Sequence, residues 1–183
     1  MGRKLCNTYK WYWKIIITEN QYELLKEMED KPKVYNFPSL EIFGNESPMD
    51  NWNLMQKFLT KKGNPDFTID GDLDLEETPI ESLGNLISVG GDLDLRGTLI
   101  KSLGNVTSVG GYLDLRDTPI ESIGNLTSVG GFLELEQTPI ESLGNLTTVN
   151  GYLYLTDTPI SEKYTEKEIR SQVEVKGNIY LWK

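Results

Sequence analysis

The sequence predicts an α+β fold: a right-handed β-solenoid with one parallel sheet, an N-terminal α/β cap, and a short C-terminal helix plus a final strand. Three observations carry this expectation. From Gly71 the chain repeats every 20 residues without a gap. Each copy holds a short L-x-L alternation, which is a strand signal. Both flanks of the array lose the pattern and carry helix signals instead. Self-similarity at a fixed period marks repeat architectures, where each unit buries its apolar face only against its neighbours.

The copies read GDLDLEETPIESLGNLISVG from Gly71, GDLDLRGTLIKSLGNVTSVG from Gly91, GYLDLRDTPIESIGNLTSVG from Gly111 and GFLELEQTPIESLGNLTTVN from Gly131. A fifth opens at Gly151 as GYLYLTDTPI and then departs from the pattern. Leu73 and Leu75, with their counterparts through Leu153 and Leu155, point to one side of a short strand, and the residues between them point to the other. Pro or Gly every few residues in T-P-I-E-S-L-G-N-L excludes a helix from the rest of the unit. Units stacked in register then give a parallel sheet at roughly 4.8 Å per strand, with right-handed crossovers. Ile80, Leu83, Leu86 and Val89 supply further inward positions. Thr78, Thr98, Thr118, Thr138 and Thr158 form one polar line, and Asn85, Asn105, Asn125 and Asn145 another. Both lines are expected to satisfy backbone groups left unpaired at bends. The paired glycines at the unit junctions are expected to supply positive φ.

The pattern L-x-x-V-G-G-x-L-x-L-x-x-T-x-I resembles a leucine-rich repeat, with Thr where that family usually has Asn. It departs in placing the apolar residue (Val89, Val109, Val129) four positions before the first strand leucine rather than three. The Val-Gly-Gly spacing is similar to repeats of the receptor L-domain type. The match covers about half of the 183 residues. The resemblance implies a binding trade, with other macromolecules gripped through the strand face. The disulfides of those receptor domains have no counterpart here, because Cys6 is the only cysteine.

Three segments are expected: a cap over 1–68, five repeats over 69–160, and a closing helix and strand over 161–183. In the cap, Trp11 to Ile17 reads as a strand. Thr18-Glu19-Asn20-Gln21 reads as a capping box before a helix with Tyr22, Leu25 and Met28 on one stripe, ended at Lys31-Pro32-Lys33. Ser39 to Phe43 reads as a second short strand. Ser47-Pro48 starts a helix whose stripe is Met49, Trp52, Met55 and Leu59, and Gly63-Asn64-Pro65 stops it. That helix would shield the apolar end of the first repeat. At the other end, Thr165-x-x-Glu168 is a capping box for a short helix to about Gln172, and Val175 to Leu181 reads as a sixth strand.

There are 28 acidic and 18 basic side chains, a net charge of −10. Residues 1–70 hold ten of each, so residues 71–183 carry the whole imbalance with eighteen against eight. Such a field disfavours direct contact with nucleic acid or anionic membranes and favours basic partners. The chain has no histidine, which removes the commonest general base and every Ser-His or Cys-His nucleophile arrangement. Phosphate-cradling glycine motifs are also missing from the sequence. No enzyme activity, cofactor or metal is therefore expected. The opening residues lack the apolar core of a signal peptide, which points to a cytoplasmic protein.

The outward strand positions are where the copies stop repeating. One line runs Asp72, Asp92, Tyr112, Phe132, Tyr152, Asn178; a second Asp74, Asp94, Asp114, Glu134, Tyr154, Tyr180; a third Glu76, Arg96, Arg116, Glu136, Thr156, Trp182. The face is acidic toward the N-terminus and aromatic toward the C-terminus. Stacked carboxylates are expected to add nothing to folding beyond relief by Arg96 and Arg116. Exposed aromatics rimmed by charge have the composition of an interface core. The leading expectation is a protein-interaction module of inhibitor or adaptor type, binding a partner with a basic, partly apolar surface. Its partner-binding residues are Asp72, Asp74, Asp92, Asp94, Arg96, Tyr112, Asp114, Arg116, Phe132, Glu134, Tyr152, Tyr154, Tyr180 and Trp182. An acidic decoy for a nucleic-acid-binding groove is the alternative. A calcium- or carbohydrate-binding surface comes third, weakened because G-G-x-G-x-D is missing.

Overall fold

The computed structural model describes residues 34–182. The strand, capping box and helix expected before Val34, and Cys6, lie outside them.

Each repeat contributes a strand to each of two parallel sheets, not to one. The first sheet has seven strands in the order β1-β2-β4-β6-β8-β10-β12. These are Val34–Phe37, Asp66–Ile69, Leu86–Val89, Ser108–Val109, Ser128–Val129, Thr148–Val149 and Glu174–Val175. The second has six, in the order β13-β11-β9-β7-β5-β3. From β3 to β13 these are Leu73–Asp74, Leu93–Asp94, Leu113–Asp114, Leu133–Glu134, Leu153–Tyr154 and Ile179–Tyr180. The architecture is mixed α+β. The expectation of one sheet fails because the closing S-V or T-V of each copy is itself extended and ends on a β-branched valine. It pairs in register with its neighbour, Val109 with Val89 and with Val129. A threonine one position earlier reinforces that ladder: Thr127 Oγ1 donates to Thr107 O and Thr147 Oγ1 to Thr127 O, at 2.9 and 2.8 Å.

The core lies between the sheets. In one repeat Leu93, Leu95, Ile100, Leu103, Val106 and Val109 are all essentially inaccessible. Fully burying each such side chain contributes about 1.5–3 kcal/mol, and most of that burial is against the adjoining repeats. The threonine line acts as expected. Thr98, Thr118, Thr138 and Thr158 are buried, and each hydroxyl donates to the carbonyl three residues back, as Thr118 does to Leu115 O at 2.6 Å. The asparagine line does not. Of Asn85, Asn105, Asn125 and Asn145, only Asn85 makes a side-chain bond, to Asn64 O at 2.6 Å. Serine serves that bend instead: the hydroxyls of Ser82, Ser102, Ser122 and Ser142 accept the N–H two residues on, at 3.0–3.1 Å.

The junction glycines also need correcting. Positive φ falls at Gly84, Gly104, Gly124 and Gly144, inside L-G-N, and not at the G-G pairs. The pairs are glycine because successive repeats nearly touch there. A Cβ on Gly110 would run into the carbonyl of Gly90, and one on Gly130 into that of Gly110.

Over the first repeat, the expected Ser39–Phe43 strand is a 3-10 helix, Leu40–Phe43. The strand comes earlier, in Val34–Phe37, where Tyr35 and Phe37 alternate inward. Pro38 cannot donate to a ladder, and Gly44 at φ 74° closes the 3-10 turn. Helix α1, Pro48–Lys61, starts at Ser47, whose hydroxyl accepts the Asp50 N–H. It buries Trp52, Met55 and Leu59, with Trp52 6.3 Å from the Phe67 ring; Met49 is only half-buried. At the far end two short helices follow β11, α2 (Pro159–Lys163) and α3 (Glu166–Gln172). The Thr165–Glu168 capping box opens α3 as the sequence predicts; α2 was not foreseen. The expected sixth strand is divided, because Lys176-Gly177-Asn178 turns the chain from one sheet to the other.

Candidate functional site

The outward face of the second sheet gathers the expected residues into three groups. Beginning at the acidic end, the carboxylates are largely engaged by the fold. Asp72 Oδ1 accepts the N–H of Asp92 at 2.9 Å, and Asp92 Oδ1 accepts that of Tyr112 at 2.8 Å. Each aspartate thereby takes a backbone donor of the next repeat. Asp74, Asp94 and Asp114 accept the N–H two residues ahead, from Glu76, Arg96 and Arg116, all at 3.0 Å. The expectation that folding gains nothing from these rows is therefore wrong. A short carboxylate satisfies a backbone donor that the strand exit leaves free.

Two arginines offset the remaining charge. Arg96 pairs with Glu76. Arg116 lies between two acids, its Nε 3.0 Å from Asp114 Oδ1 and 2.6 Å from Glu134 Oε2. Asp114 beneath it is only 3% exposed, and its carboxylate bonds keep the guanidinium firmly protonated. Asp94 and Glu134 are both pushed above the usual carboxylate range. Burial is the main cause, and Asp114 raises each further. Carboxylate oxygens of Asp74, Glu76 and Asp94 come within 4.8 Å of one another. With Glu76 held by Arg96 and one oxygen of each aspartate on a backbone N–H, the trio already has its partners.

The aromatic end forms two clusters rather than one column. Tyr112 and Phe132 stack face to face at 5.3 Å and 3°. Tyr154 and Tyr180 stack at 4.6 Å and 8°, and Tyr152 packs edge-on against both, at 6.3 and 6.1 Å. Phe132 and Tyr152 remain 37% and 44% exposed, and Trp182 at the chain end 70%. Loss of solvation raises the Tyr112 and Tyr154 phenols above their usual value. The second cause is Asp94 for Tyr112 and Tyr180 for Tyr154, so negative charge from Asp94 reaches the first ring pair. Sequence reasoning missed Glu166, which lines a groove with Tyr180 and Trp182, and Arg170, with which it pairs. Their i, i+4 spacing after a capping box was the available signal.

The chain matches no family model, and no curated protein or solved structure is similar to it. Among the described residues no helix is long and apolar enough to cross a membrane.

Proposed function

We propose that the repeats form a right-handed, leucine-rich-repeat-like solenoid and that the outward face of its second sheet binds another protein. The reading rests on one observation: stacked, partly exposed aromatic rings share a sheet face with carboxylates. Rigid aromatic side chains lose little rotamer freedom on contact, and they dominate binding energy where they are desolvated. The acidic rows act at longer range, drawing a basic surface toward the rings. The partner presents basic and apolar groups together, and the role is that of an inhibitor or adaptor in the cytoplasm. It calls on neither membrane nor direct nucleic-acid contact, and gives no residue a catalytic part. The decoy reading is less favoured, since Asp72, Asp74, Asp92, Asp94 and Asp114 each already hold a backbone N–H.

The test is a kinetic series against a partner captured from the source cells. Tyr152→Ala and Tyr154→Ala are each expected to weaken binding by about 2 kcal/mol or more. Asp74→Asn with Asp94→Asn keeps the Oδ1 acceptors, so the fold is retained. That pair should slow association and flatten its salt dependence while leaving dissociation unchanged. Near-neutral tyrosine variants beside crippling aspartate variants would reverse the assignment.

A further inference from the structure

The last repeat is closed on one sheet and open on the other. Beside β12 the terminal carbonyls are taken by Arg170, whose Nη1 donates to Val175 O at 2.6 Å and Nη2 to Gly177 O at 2.8 Å. Glu166 holds that guanidinium in place, Oε1 accepting from Nε at 2.8 Å. In the second sheet every strand donates forward to the next repeat. Leu133 N–H reaches Tyr152 O at 2.9 Å, Leu153 reaches Asn178 O at 3.0 Å, and Leu155 reaches Tyr180 O at 2.9 Å. Ile179 stands where Leu153 does, and Leu181 where Leu155 does. Among the described residues no later strand receives their N–H groups. A shallow groove of about 360 Å³ follows this edge, between Glu166 on α3 and Trp182.

We infer that this edge is a self-association surface, on which β13 of two copies pairs antiparallel about a two-fold axis at Tyr180. The register is self-complementary. The backbone N–H and C=O groups of Ile179 and Leu181 point away from β11, while those of Tyr180 between them point toward it. A two-fold axis through Tyr180 sets Ile179 of one copy opposite Leu181 of the other. Residues so placed exchange N–H···O bonds in both directions. Unpaired edges template strand addition unless they are defended. The opposite edge of the sheet, β3, is defended by Asp72, Asp74 and Glu76, whereas β13 carries Tyr180 and Trp182.

Charge selects a second copy as the occupant and this end as the meeting point. Residues 71–160 carry fourteen acidic and three basic side chains, so contact through the array would press acid on acid. Residues 161–183 carry four and five, and two such ends meet without that cost. Pairing of like with like also closes on itself and uses up the edge. The edge adjoins the proposed partner contact, since Tyr180 stacks on Tyr154 at 4.6 Å, but its test reads the mass of the chain alone and requires no partner.

The test is sedimentation of the full chain from about 1 to about 500 µM, a span covering weak interfaces. The expected result is a shift with concentration from 20.8 kDa to twice that mass. High salt should leave the dimer intact or strengthen it, because the ends are near neutral. Leu181→Pro removes one edge donor, and Trp182→Lys places like charges on both copies beside the axis. Each should weaken dimerisation at least tenfold. Because Leu181→Pro can disturb the last repeat, the exposed Trp182→Lys decides if the former melts early. A 20.8 kDa mass at every concentration overturns the inference. So does a dimer indifferent to Trp182→Lys, a dimer dissolved by salt, or a mass that keeps climbing.

Discussion

Asp94 is pulled two ways. Its Oδ1 accepts the Arg96 N–H, which favours the carboxylate, while burial and the neighbouring Asp114 and Asp74 favour the protonated acid. Burial is the larger effect, so the folded protein keeps this proton to higher pH than the usual 3.8. Between the unfolded and the folded value the native state binds more protons. Stability from this group therefore falls as pH rises through that window, and the whole penalty is present above it. Asp94→Asn removes the charge and keeps the acceptor. We expect it to melt above wild type at neutral pH, with the gap closing as pH is lowered toward 3.8. A gap that does not change with pH in thermal melts would show that charge is not the cause.

Each repeat is held to its neighbours by backbone approach as much as by apolar burial, and two glycines separate the reasons. Gly110 has ordinary φ, but a Cβ there would meet the Gly90 carbonyl. Gly104 has open space around it but sits at φ 60°. Gly110→Ala must push two repeats apart, at a cost of about 2–3 kcal/mol or more. Gly104→Ala meets only the left-handed backbone penalty, about 1–2 kcal/mol. Urea denaturation should rank Gly110→Ala as the more damaging. The reverse order would mean that the repeats can separate freely at the junction. The positive-φ site after the strand is more tolerant still, since Glu77, Asp117, Gln137 and Asp157 occupy it as well as Gly97.

Across the whole molecule one apolar core runs from Tyr35 and Phe37 under α1 to Ile179. Leu113 is central to it and fully buried. Leu113→Asp puts a charge where no partner is available, and is expected to cost about 4 kcal/mol or more, enough to unfold or aggregate the chain. A soluble variant with wild-type melting, followed by circular dichroism, would contradict the inward register of the L-x-L leucines. The molecule's charge is divided at the same scale. The array holds the acidic excess, and its C-terminal end is close to neutral.

Period determined the repeat boundaries, the inward leucines and the threonine line, and local capping signals determined the helix at Pro48 and the capping box at Thr165. Each of these is local: a residue type at a fixed offset acts on backbone within a few positions, and repetition multiplies the signal. The outward lines of the face were legible for the same reason. Tertiary structure alone decided what depends on the neighbouring repeat, some 20 residues away in sequence. It made T-S-V a second sheet, because an extended segment becomes a strand only when a partner lies in register. It gave the junction glycines their purpose, since the atom they avoid belongs to another repeat. It gave the aspartate rows their first employment, because the donors of Asp92 and Tyr112 face Asp72 and Asp92 only after stacking. It also placed β13 outermost in the second sheet, where among the described residues no further strand meets its outward N–H groups.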